Sequence, residues 1–178
     1  MPRVVIHTLS ELDDYAEKIS ESAAETARRI ADLAATNPGL TLLHALRFEP
    51  HGRQPLSTEP LNLIEQLNQT FTYLASFAGT RFLFREFPDG APYILNLGTT
   101  AGPDIVSSNG QIAAEVFAAV APENNRKLST DIERVRSYGA AHRFVFYYSP
   151  GHEQEIATPL HPEAVTVVSL GGFSWNDR

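Results

Sequence analysis

The chain has 178 residues, 43% of them hydrophobic and 20% charged, with 14 Lys and Arg against 21 Asp and Glu and no cysteine. Such a chain suits one sizeable core with or without an N-terminal appendage; it is neither fibrous nor wholly disordered, and it offers no disulfide, thiolate metal site or cysteine nucleophile. A net charge of −7 argues against broad coating of nucleic acid but permits a local basic site helped by a divalent metal, while the lack of a long apolar run and the acidic N-terminus make a cytoplasmic location the expectation.

Residues 3–8 form a β-branched run suited to an edge strand. Ser10 reads as an N-cap with Asp13 three residues on, and Leu12, Tyr15, Ile19, Ala23, Ala27, Ile30 and Leu33 recur at helical spacing. A long amphipathic helix is therefore expected over 11–36, ended by Asn37-Pro38-Gly39. Segment 40–48 is apolar and suits a strand or a short helix equally. Three prolines and a glycine make 49–60 a loop, dividing a helical extension with its linker (1–59) from a core (60–178). The long helix either packs on that core or serves dimerisation.

Ile64, Leu67, Phe71, Leu74 and Phe77 predict a second helix over 61–77, with Glu65, Gln69, Thr72 and Ser76 on a polar stripe and Gly79 as its end. Residues 81–87 alternate charged and aromatic side chains, as a strand or a helical continuation does; Asp89-Gly90 is a turn and 93–97 a strand. The glycine-flanked stretch 98–102 lacks the lysine and hydroxyl spacing of a phosphate-binding loop.

Next comes Gly102-Pro103-Asp104-Ile105-Val106, then Ser107-Ser108-Asn109-Gly110, then an apolar run from Gln111 to Val120. Asn109-Gly110 is the dipeptide favoured by type I′ turns, so the two runs should pair antiparallel. Alternation puts Ile112, Ala114, Val116 and Ala118 on one face and Ala113, Glu115, Phe117 and Ala119 on the other. Glu115 is thus a lone carboxylate among apolar neighbours, and must be protonated, paired or bound to a cation.

A helix is expected over 125–138, with Leu128, Ile132 and Val135 on one side and Arg126, Lys127, Arg134 and Arg136 making it the most basic part of the chain. Strands follow at 143–148 and 165–170, separated by a loop rich in His, Glu and Pro, and Gly171-Gly172 opens a polar tail. The order from residue 61 predicts an α/β fold, a mixed central sheet flanked by helices, with an N-terminal helical extension.

The Gly-Pro-Asp ending at Asp104, and Glu-Val-Phe beginning eleven positions later at Glu115, within this order of elements, resemble the PD-(D/E)XK nuclease superfamily over roughly 60–170. The resemblance implies a restriction-endonuclease-like core and a Mg²⁺-dependent phosphodiesterase acting on DNA. It makes Asp104 and Glu115 metal ligands and Glu65 an auxiliary acid from the preceding helix. Converging carboxylates hold Mg²⁺, which positions water and offsets charge on a phosphate. Phe117 departs from the pattern, for it stands where the motif has lysine. Some members supply that cation from another element, and Lys127 is the candidate replacement. Asn125, Arg126 and Gln69 are candidate phosphate contacts, and Gln66 a group that orients others.

Other readings stay open. Asp104 is a turn or N-cap residue in many chains, and Glu115 reads equally as an edge-strand side chain reaching water or as the partner of Arg81 or Arg143. Phe117 and the net charge favour a catalytically silent module of the same fold serving interaction or regulation, possible as a homo-oligomer. The helix over 11–36 would suit an unrelated assembly protein. The histidines, His142, His152 and His161 among them, match no metal template.

Overall fold

The structure, a computed structural model, describes residues 3–98, 101–152 and 164–171. Its elements in chain order are β1 (Arg3–Ile6), α1 (Leu9–Thr36), α2 (Leu40–Phe48), β2 (Gly52–Arg53), β3 (Pro60–Leu61), α3 (Leu63–Glu86), β4 (Tyr93–Asn96), β5 (Ile105–Ser107), β6 (Ile112–Ala118), α4 (Lys127–Arg136), β7 (His142–Tyr148) and β8 (Val165–Ser169). The fold is mixed α/β. Among the described residues no helix is long and apolar enough to cross a membrane. Two compact units emerge, Ser10–Phe71 and the rest of the chain, with the boundary inside α3.

The larger unit holds a six-stranded sheet in the order β1-β4-β5-β6-β7-β8. β1 is an edge strand, as its sequence predicts, paired antiparallel with β4; β4, β5 and β6 form an antiparallel meander. From β6 the chain crosses through α4 and returns as β7, parallel to β6 with Glu115 opposite Val145; β8 adds a second parallel pair. The aromatic run in β7 is core sheet: Val145 and Tyr147 cluster with Ala113, Phe117 and Val135 under α4, while Phe144 and Phe146 turn the other way and meet Phe82 of α3 edge-on. Both faces of the sheet are covered, so β6 is buried along nearly its whole length.

Several sequence-based expectations shift. α3 does not stop at Gly79 but runs to Glu86, taking in most of 81–87. Gly79 is there for close approach: a Cβ at that position would stand 2.9 Å from Phe146 Cδ2. Leu67 and Phe71, expected on the buried stripe, are exposed, whereas Ser76, expected on the polar one, is buried. The turn before β6 is not type I′. Gly110 has φ +71° and Asn109 is not left-handed; the N–H of Gly110 donates to the Ser107 carbonyl, while Asn109 Oδ1 accepts from Ser107 Oγ and the Gln111 N–H. Asn109 thus serves through its side chain rather than its backbone. The helix expected over 125–138 is shorter, preceded by a 3-10 turn, Asn124–Arg126.

In the smaller unit, 40–48 resolves as helix α2, and β2 and β3 form a short antiparallel pair within and beside the proline-rich loop. α1 starts at Leu9, so Ser10 lies inside its first turn rather than capping it. Ala23 and Ala27 face solvent; Ser22 and Thr26 are buried in their place. The reason is Gln66 of α3, itself buried. Its Oε1 accepts from Thr26 Oγ1 (3.0 Å) and the Arg53 N–H (2.9 Å), its Nε2 donates to Thr26 Oγ1 (2.8 Å), and Arg53 Nε donates to Ser22 Oγ (3.1 Å). Arg53 also bridges to Glu25 at 2.6 Å. Leu12 and Ile19 of the expected apolar stripe are buried, and a polar network continues that face at Ser22 and Thr26.

Replacing Gln66 by Leu would leave the buried Thr26 hydroxyl and the partly buried Arg53 N–H without that partner, at about 1–3 kcal/mol for a fully buried group and less for a partly buried one. Chemical denaturation should therefore show Gln66→Leu less stable by about 2 kcal/mol, despite its greater hydrophobicity.

Candidate functional site

The site begins where β4 and β5 meet. The Asn96 N–H donates to the Asp104 carbonyl at 2.8 Å, and Asn96 Nδ2 to the Pro103 carbonyl, fixing the Pro-Asp step just ahead of β5. β5 pairs with β6 with Ile105 opposite Ala114, which puts Asp104 alongside Glu115 at the next step of the ladder. Asp104 Oδ2 accepts the Val116 N–H at 2.7 Å; its other oxygen makes no hydrogen bond to a described residue.

Glu115 faces α4 with Ala113 and Phe117, as the alternation predicts, and is fully buried. It is not an edge-strand group. Nor is its partner Arg81 or Arg143: Glu115 Oε2 accepts from Arg134 Nη1 at 3.0 Å and Oε1 from the Tyr138 hydroxyl at 2.9 Å. The Arg143 Nε instead donates to the Tyr138 carbonyl. The Arg134 side chain is half exposed, so the pair joins a buried anion to a cation that keeps its contact with solvent.

Lys127 opens α4, after two residues in left-handed geometry, Asn125 (φ 55°) and Arg126 (φ 57°). Both side chains are exposed. The Lys127 ammonium lies 5.9 Å from the centroid of the Phe117 ring, within cation–π range, and 2.8 Å from Asp131 Oδ1. Asp131 is fully buried, and its Oδ2 has no hydrogen-bond partner among the described residues.

Asp104, Glu115, Lys127, Asp131, Arg134 and Tyr138 thus form one cluster of three carboxylates and two cations. Burial first, and the neighbouring Glu115 charge next, push the Asp104 carboxyl up to about 7, against the Val116 N–H and Lys127, which favour its ionised form. Burial also lifts Glu115, opposed by the hydrogen bonds from Tyr138 and Arg134. The Tyr138 hydroxyl is raised by burial and by donating to Glu115.

The remaining candidates lie elsewhere in the chain. Glu65 is exposed in the first turn of α3, where its N–H is capped by Asn62 Oδ1, and Gln69 is half-buried one turn on; both belong to the unit Ser10–Phe71. Gln66 is engaged in the network with Thr26, Ser22 and Arg53. His142 stacks at a tilt on Phe87, and His161 lies outside the described residues. Among the described residues no group of three or more His, Asp or Glu side chains is placed to hold a metal ion.

Sequence reasoning missed Asp131 and Tyr138 and saw Arg134 only as part of a basic helix. A signal existed. Residues 127, 131, 134 and 138 follow the i, i+4, i+7, i+11 spacing of one helical face, and Asp131 falls between Leu128 and Val135 on the apolar stripe. Comparison with family models, with curated proteins and with solved structures finds no match.

A carboxyl raised from its ordinary 3.8 to about 7 contributes stability that is complete below its unfolded value and is lost as pH rises through about 7. Asp104→Asn removes that loss while keeping an acceptor for the Val116 N–H. Without divalent metal, the variant should match the parent near pH 4 and exceed it by on the order of 2 kcal/mol at pH 8, read from denaturation midpoints.

Proposed function

We propose that this chain is a Mg²⁺-dependent phosphodiesterase acting on DNA, of PD-(D/E)XK type, with Asp104 and Glu115 as metal ligands and Lys127 in the role of the motif lysine. One observation carries the reading: the Lys127 ammonium sits over the ring of Phe117, the residue that replaces the lysine. The succession α3, β4, β5, β6, α4, β7, with its antiparallel meander and parallel crossover, supports the restriction-endonuclease-like core that the resemblance implies.

The donor set suits the ion. Mg²⁺ prefers carboxylate oxygens, keeps several waters and needs only one or two protein carboxylates; Asp104 offers an oxygen with no described partner, beside Glu115, in a cluster with excess negative charge. Bound there, Mg²⁺ would polarise water and offset charge on phosphate oxygens. The chain's own groups do the rest. The Val116 N–H fixes the Asp104 carboxylate, Lys127 brings a positive charge to stabilise the attacking or leaving oxygen, and Asn125 and Arg126 are the candidate phosphate contacts.

A second reading, a catalytically silent module of the same fold serving interaction, is favoured by a different observation: Arg134 and Tyr138 already engage both oxygens of Glu115. Metal binding separates the two.

If the site is a nuclease, Mg²⁺ should raise the melting temperature more at pH 8 than at pH 6, because Asp104 must lose its proton to bind. Mg²⁺-dependent nicking of plasmid DNA should fall at least about 100-fold in Asp104→Ala and in Lys127→Ala. Equal cleavage by parent and Asp104→Ala would remove the assigned site; Mg²⁺ without effect on melting or cleavage would leave the silent module.

A further inference from the structure

We infer that Asp131 is the positioning residue for Lys127, an acid set in α4 to hold the ammonium over Phe117 so that it stands where the missing motif lysine would have acted. The inference rests on the nuclease reading for its catalytic meaning, but its geometry stands independently. A lysine at the start of a helix ordinarily extends into solvent. Lys127 is tethered instead: part of its side chain meets solvent, but its Nζ is 2.8 Å from Asp131 Oδ1, and the centroid of the Phe117 ring lies 5.9 Å away on the neighbouring strand.

Asp131 itself has no structural reason to be a carboxylate. It occupies an apolar stripe, between Leu128 and Val135, where helix α4 packs on Ala113, Phe117, Val145 and Tyr147. It is fully buried, caps no helix, and satisfies one oxygen with Lys127 alone while the other has no described partner. Replacing a buried ion pair with apolar groups of similar volume is often neutral or stabilising, so stability gives little reason for this pair. Positioning does. The i, i+4 spacing and the buried carboxylate select one orientation for a long side chain that would otherwise sample many. Asp131 acts through Lys127; it is not assigned contact with substrate.

The test has two arms. In the full chain, the Lys127 ammonium should give an NMR correlation protected from rapid hydrogen exchange, and Asp131→Asn, which keeps the side chain's shape, should abolish that protection. An unprotected ammonium in the parent, or protection unchanged in the variant, would overturn the inference; the measurement on the parent needs no variant to fold. In the second arm, single-turnover cleavage of plasmid DNA with Mg²⁺ is compared across Asp131→Asn, Lys127→Ala and the double variant. The double variant should be no slower than Lys127→Ala, because Asp131 works only through the ammonium, and additive losses would overturn the role. A parent that does not cleave defeats the nuclease reading and with it the catalytic meaning, while a protected ammonium lost in Asp131→Asn would still establish the positioning.

Discussion

The constraint on which the larger unit depends is the carboxylate of Glu115, buried in the middle of a sheet covered on both faces. A lone charge there would cost several kcal/mol, and Glu115, on a strand with neighbours on both sides, has no exposed surface of its own. The compensation comes from α4. One face of that helix presents Leu128, Ile132 and Val135 to Ala113, Phe117, Val145 and Tyr147, and the adjoining residues Arg134 and Tyr138 reach the two oxygens of Glu115. Apolar packing alone would tolerate small rotations of the helix. Two hydrogen bonds to one buried carboxylate do not, so the docking of α4 and the placement of Lys127 at its start have a common origin.

The cluster is electrically unbalanced by design of its parts. Three carboxylates face two cations, and the surplus is borne by Asp104, whose carboxyl holds a proton up to about pH 7. Whatever neutralises the site competes for the same negative charge: a proton on Asp104, the guanidinium of Arg134 on Glu115, the ammonium of Lys127 on Asp131, or a divalent cation entering from solvent. Arg134 keeps half its side chain in solvent while its partner is wholly buried. Competition of this kind gives the proposed nuclease and the silent module a shared structure and different energetics.

Much of this was legible from sequence because it was carried by local signals. The alternation around Glu115 assigned its face, the aromatic run Phe144 to Tyr147 announced a core strand, and the proline and glycine near 38 ended α1 where expected. What the sequence concealed depended on partners distant along the chain. Gly79 looks like a helix terminator until Phe146 is seen against it. Ser22 and Thr26 look like surface residues until Gln66, some forty positions on, satisfies them. In the site, Asp104 and Glu115 were marked by a turn and an alternation, both local. Arg134 and Tyr138 were not, because a helix shows its own periodicity but not the strand side chain it will meet.

Phe117 is the residue whose meaning changes most. Under the proposed nuclease reading, it stands where the motif would have a cation. Read in the structure, it is also a surface. The ring packs nearly parallel to Tyr147 and is thereby held in one orientation, with its environs facing the start of α4. A cation near an aromatic face gains about 0.5–1 kcal/mol at exposed sites and more when desolvated, while a competing lysine on β6 itself would have crowded Lys127 by like-charge repulsion. The ring at Phe117 and the lysine ten residues later therefore form one local arrangement. The strand supplies the ring, the helix supplies the ammonium, and Asp131 pairs with that ammonium.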